Sequence, residues 1–226
     1  VDYEVHGIDE GPVRIDLEDT NNFFNPKLGL SYFLDRSDFY LSYAKGHKEP
    51  KRADYLANND VKPESLDDIE LGWNYKADKF RLRTNLYYMH YKDQLVLTGN
   101  IDDVGNPIAD NIGKSYRFGL EVDAAIQICK KLIWQPNFAI SSNKNIDKYY
   151  EYDGELQDFG NTDLAYSASF IASSNFNFRP IKNLQINLLS KYVSEQYMSN
   201  IEHEDSKLDA YFVHDFSVNY TIKTDK

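Results

Sequence analysis

Apolar and polar residues alternate at a period of two along nearly the whole chain. Tyr116, Phe118, Leu120, Val122, Ala124, Ile126 and Ile128 alternate with Ser115, Arg117, Gly119, Glu121, Asp123, Ala125 and Gln127. Successive side chains of an extended strand point to opposite faces, so such a segment lies between two unlike environments. The same alternation recurs over 28–34, 39–43, 69–75, 80–88, 132–140, 164–178, 184–192 and 208–222. A helical pattern fits only one short turn within 50–60. Residues 79–97 and 114–128 read as continuous strands, longer than the five or six residues usual in globular sheets.

The connections between these strands fall into two kinds. Tight links occur at 34–37, 76–79, 130–131 and 179–182, and long ones at about 7–22, 45–64, 98–112, 144–161 and 198–206. Short and long alternate without exception. An antiparallel meander with tight turns at one end and long loops at the other follows, which is the pattern of bacterial outer-membrane barrels. Folding the chain about Ala77-Asp78 is expected to bring Gly72 near Arg83 and Asn74 near Arg81, all four on the polar face. The aromatics Tyr32, Trp73, Tyr75, Tyr88, Tyr116, Trp134, Phe176, Phe178, Tyr192 and Tyr220 sit near the ends of the apolar stripes, as girdles at two membrane interfaces would.

Composition narrows the function classes. The 36 acidic residues against 25 basic ones give a net charge of −11, which argues against nucleic-acid binding. One cysteine, Cys129, excludes a disulfide framework and a Cys-rich zinc module. No apolar run reaches the ~18 residues of a membrane-spanning helix, and the low mean hydropathy of −0.61 is compatible with a membrane barrel, which is apolar only at alternate positions. No catalytic motif is present, so an enzyme is not expected, and no cofactor is implied. The five histidines show no metal-ligand spacing. Glu202-His203-Glu204-Asp205 has the chemistry to hold a divalent ion, but a solvated loop end is the better account of it.

Asn25-Pro26-Lys27-Leu28-Gly29-Leu30-Ser31-Tyr32, and Tyr40-Leu41-Ser42-Tyr43-Ala44-Lys45-Gly46 leading to Glu49-Pro50, resemble the start of a barrel strand in TonB-dependent outer-membrane receptors. Lys62-Pro63-Glu64-Ser65-Leu66 followed by Ile69-Glu70-Leu71-Gly72 resembles the family's KPE…ELG stretch. Tyr87-Tyr88-Met89-His90-Tyr91-Lys92-Asp93-Gln94-Leu95, Asn111-Ile112-Gly113-Lys114-Ser115 and Gly119-Leu120-Glu121 complete the likeness, which covers about residues 22–125.

The resemblance implies an all-β fold: an antiparallel transmembrane β-barrel meander, about ten strands of a larger, 22-stranded barrel. It implies a bacterial outer-membrane receptor importing a metal chelate (a ferric siderophore or haem) or cobalamin. Energy would come from TonB, and the partners would be outer-membrane lipid and a plug domain. Residues 1–226 are expected to be an internal piece of that barrel, without plug, TonB box, signal peptide or final strands.

Under this reading Glu70, Arg81, Arg83, Arg117, Glu121 and Asp123 are lumen charges that face a plug or pair with one another. The acidic, aromatic loop 146–160 offers Tyr149, Tyr150, Tyr152 and Phe159 for ligand contact. Its acids, with those of 7–22, suit neutral or cationic cargo or calcium. Two other readings stay open: a complete ten-stranded barrel (a small porin or a membrane protease), and a soluble β-rich binding module.

Overall fold

A computed structural model describes residues 2–8, 14–102, 105–152, 155–200 and 202–222, with side chains over 20–96, 101–102, 105–148, 158–200 and 202–222. The chain runs through β1 (Asp2–Ile8), β2 (Arg14–Thr20), β3 (Lys27–Phe33), β4 (Ser37–Lys48), α1 (Arg52–Ala57), β5 (Glu64–Lys76), β6 (Phe80–Lys92), β7 (Leu95–Ile101) and β8 (Pro107–Asn111). It continues through β9 (Ser115–Cys129), β10 (Leu132–Asn145), β11 (Tyr149–Tyr152), β12 (Glu155–Asp158), β13 (Phe170–Ile181), β14 (Leu184–Val193), β15 (Gln196–Tyr197), β16 (Lys207–Leu208) and β17 (Tyr211–Tyr220). Nine strands make one antiparallel sheet, in the order β3-β4-β5-β6-β9-β10-β13-β14-β17.

Register makes the two faces continuous. One row runs Leu30–Leu41–Leu71–Leu86–Leu120–Ile140 across six strands. The next runs Tyr32–Phe39–Trp73–Thr84–Val122–Phe138–Ala172–Tyr192–Phe212. Most of these side chains are exposed, Leu30 at 66% and Ile140 at 53% among them, and Thr84, Leu120, Val122, Ala172 and Tyr192 are half-buried. A soluble sheet would cover such a face; a lipid-facing one leaves it bare. The apolar belt ends in a polar row, Lys45–Asp67–His90–Tyr116–Lys144. From Asp67 to the turn at Ala77 is about ten residues, which at the tilt of membrane strands spans about 25 Å, the height of a barrel's apolar band.

Four departures from the sequence reading have local causes. The 79–97 stretch is two strands, because Asp93 adopts φ 53° and turns the chain between β6 and β7; aspartate tolerates that left-handed conformation better than most residues. Residues 164–169 are irregular, and β13 begins only at Phe170. The β5–β6 register lies two residues from the expected one, with Asn74 opposite Arg83, Lys76 opposite Arg81 and Gly72 opposite Asn85. Ala77 N–H donates to the Phe80 carbonyl at 2.8 Å, which centres the turn on Asp78-Lys79 rather than on Ala77-Asp78. A two-residue slip preserves the faces, which is why parity survived the error. Finally, the connections between sheet strands contain the pairs β7–β8, β11–β12 and β15–β16, and β1 pairs with β2 ahead of the sheet.

The sheet has almost no core of its own. Among the described residues six hydrophobic ones are buried, and Tyr55, Val61, Leu95, Leu164 and Val193 lie at the loop end. Tyr55 and Val61 pack with Leu95 and Ala109, joining the α1 segment to the β7–β8 hairpin.

Candidate functional site

The polar face of the sheet is concave and carries the charges singled out from the sequence. Glu70, Arg81, Arg83, Arg117, Glu121 and Asp123 fall on that one face of β5, β6 and β9. Arg83 and Asp123 are direct cross-strand partners, and Arg83 donates to Asp123 Oδ1 through Nη2 at 2.8 Å and Nε at 3.1 Å. A concavity of about 500 Å³ near the tight turns brings Arg81, Arg83 and Asp123 together with Asp38, Asn74 and Lys76. Glu121 and Asp123 line a second hollow beside it with Tyr40, Asn85 and Asn137. Arg117 stands apart from both, its guanidinium 5.9 Å from the centre of the Tyr91 ring.

Two tyrosines that the charge pattern did not single out shape this wall. Tyr40 lies opposite Gly72 and crosses over it to donate from Oη to Asn85 Oδ1 at 3.0 Å on the next strand. A Cβ on Gly72 would run into the Tyr40 ring. Tyr87 lies in the same way over Gly119. Each glycine therefore makes room for a ring that stiffens a barrel wall lacking a packed core. The sequence signal was present: Tyr40 and Tyr87 are aromatics at polar-face positions.

The loop end forms two clamped units. In the first, buried Asp54 accepts the backbone N–H of Lys51 at 2.7 Å and of Ala109 at 2.6 Å, tying α1 to β8. Asn111 accepts from Lys62 N–H at 2.6 Å and donates to the carbonyls of Lys62 and Asp93. Leu95 N–H reaches Glu64 at 2.8 Å, and buried Ser115 bonds to Gln94. In the second, fully buried Asn145 donates to Thr162 Oγ1 at 2.9 Å, and Thr162 donates onward to the Asn200 carbonyl at 2.8 Å. Lys144 bridges Asp163 at 2.7 Å and Glu202 at 3.5 Å. Half-buried Lys148 stands at the foot of the β11–β12 hairpin; burial lowers its pKa from the ordinary lysine value, and Asp110 pulls it back up.

Of the loop aromatics expected to meet ligand, Phe159 is 37% exposed beside that foot. The side chains of Tyr149, Tyr150 and Tyr152 lie outside the described residues. His203 Nδ1 accepts from Asp205 N–H at 3.3 Å, and Glu202 is engaged by Lys144 and by Asp163 N–H. Among the described residues no three His, Cys, Asp or Glu side chains are placed to hold a metal ion.

The sequence matches the family model described as TonB dependent receptor-like, beta-barrel, over residues 2–226. The chain belongs to the TonB-dependent receptor β-barrel family. No curated protein sequence matches it significantly. Solved structures of this fold include the siderophore receptor PiuA from Acinetobacter baumannii, at 14% identity and a TM-score of 0.73, covering 96% of this chain and 32% of PiuA. The ferric yersiniabactin uptake receptor FyuA from Yersinia pestis gives 20% identity and a TM-score of 0.68, covering 92% and 31%. The ferric-catecholate import receptor Fiu from Escherichia coli K12 gives 16% and 0.67, covering 94% and 31%. The chain thus spans about a third of the receptors it resembles. In barrels of this family the apolar outer face of the sheet meets lipid and the polar inner face lines the lumen, with tight turns periplasmic and long loops outside.

Proposed function

We propose that this chain is the barrel portion of an outer-membrane receptor that captures a ferric siderophore at its loop end. The chelate then passes along the charged lumen wall with energy from TonB. The family match over residues 2–226 is the observation that carries this reading. Haem and cobalamin belong to the same transport chemistry and are the alternative cargoes. The clamped loop units are consistent with a pre-formed outer rim, and Tyr149, Tyr150, Tyr152 and Phe159 are the proposed ligand contacts. Glu70, Arg81, Arg83, Arg117, Glu121 and Asp123 are the proposed plug-facing surface. In the full receptor, Arg81→Gln with Arg83→Gln should loosen plug retention; unchanged retention would remove them from that surface.

The test is growth of an iron-limited strain stripped of its own siderophore receptors and carrying the full-length gene. Rescue by a defined ferric catecholate, hydroxamate or carboxylate chelate, lost on deletion of tonB, supports the reading. Rescue by haem alone, or of a cobalamin auxotroph by cobalamin alone, shifts the cargo. Uptake that persists without TonB overturns the energy coupling.

A further inference from the structure

The surplus of acid is reversed at one end of the sheet. The tight turns and the residues flanking them hold Arg36, Lys76, Lys79, Lys130, Lys131, Arg179 and Lys182 against Asp35, Asp38 and Asp78. Backbone bonds stitch these turns into one rim: Lys76 N–H donates to the Arg36 carbonyl at 2.9 Å, Gln127 to Lys79 at 2.8 Å, Arg179 to Lys131 at 2.7 Å and Thr221 to Asn183 at 2.9 Å. The stitching sets Arg36 beside Lys76 and Lys131 beside Arg179, while Lys76 faces Arg81 across the β5–β6 pair.

Like charges at neighbouring positions repel and need a counter-charge. Among the described residues Arg36 has one, Asp35 at 4.0 Å, and the other six rim cations have no ion-pair partner. All seven are exposed. On the lipid side just above the rim stands an aromatic row, with Trp73–Tyr75 at 6.2 Å and Tyr75–Phe80 at 6.0 Å between ring centres, and Trp134 stacked on Phe176 at 5.8 Å.

We propose that this rim binds the headgroups of anionic phospholipids in the leaflet that meets the tight turns. Phosphate oxygens would accept hydrogen bonds from the lysines and arginines, and the acyl chains would lie along the aromatic row. A soluble acidic partner could use the cations but has no use for the aromatics, whereas a lipid engages both. The inference requires the barrel to stand in a bilayer and is independent of the cargo, so a failed growth assay leaves it untouched.

The test reconstitutes the full-length receptor in phosphatidylcholine bilayers and reads tryptophan quenching by brominated phosphatidylglycerol against brominated phosphatidylcholine. A Trp134→Phe variant supplies the background to be subtracted, so that the signal comes from the rim. The anionic lipid should be favoured by about fivefold at low salt, given the usual pull of each interfacial cation, and less at high salt. Lys130→Gln, Lys131→Gln, Arg179→Gln and Lys182→Gln together should bring the ratio to about one. If that variant does not fold, Lys130→Gln with Lys131→Gln should still lower it. Equal quenching by the two lipids in the native receptor, or an unchanged preference in a folded variant, overturns the proposal.

Discussion

A barrel wall one strand thick has no interior to pack, so single residues act by what they let their cross-strand neighbours do. Gly72 is the sharpest case, because the Tyr40 ring occupies the space a side chain would need. Gly72→Val in the full-length receptor should cost about 1–3 kcal/mol, the usual penalty of overpacking, read as a fall in the urea midpoint. Tyr40→Ala in the same background should recover part of that loss, since the clash is with this ring; no recovery would mean that glycine is required for backbone reasons instead. The Arg83–Asp123 pair behaves oppositely. Its side chains are 72% and 49% exposed, and water screens such pairs to about 1 kcal/mol or less. Asp123→Asn should therefore leave the urea midpoint nearly unchanged, whatever it does to a partner in the lumen.

At the scale of elements, legibility in the sequence divides by whether side chains or backbone decide. Strand faces were legible because the two sides of the sheet impose opposite demands on alternate residues, as 115–128 displays. The turn centre was not: Lys76-Ala77-Asp78-Lys79 offers no glycine to mark it, and the two backbone bonds exchanged by Ala77 and Phe80 decide it. The hairpins inside the long connections were also hidden, because none shows a sustained alternation: β7 opens on three apolar residues in a row, Leu95-Val96-Leu97, and β11 and β12 have only four residues each. The loop clamps were illegible for a further reason: Asp54 and Ala109 are far apart in sequence, and an aspartate early in a short helix usually serves only its own first turn. Here it does both, accepting from Lys51 and from Ala109. Asp54→Ala removes two backbone hydrogen bonds to a buried carboxylate, each worth about 1.5–3 kcal/mol. The Ala109 amide should then exchange with solvent at least tenfold faster, by roughly 1.4 kcal/mol per factor of ten, while amides in β5 and β6 keep their protection. Equal loss throughout would show that the loop unit and the sheet open together.

For the whole molecule the deciding question is which side of the sheet meets lipid, and neighbours on one strand answer it. Ile140 and Ala139 are consecutive in β10 and point to opposite faces at nearly the same depth. Ile140 ends the leucine row and is 53% exposed. Ala139 shares the opposite face with Glu121 and Asn85. An arginine near the middle of the bilayer on the lipid side costs about 2–4 kcal/mol, whereas a charge facing a watery lumen costs little. Ile140→Arg should thus lower the folding yield of the full-length receptor into phospholipid vesicles, and Ala139→Arg should not, both scored by the shift between folded and heat-denatured mobility in a gel. The reverse ranking would turn the sheet inside out. Equal and small effects would mean that neither face meets lipid, and the apolar rows would then need a protein partner to cover them.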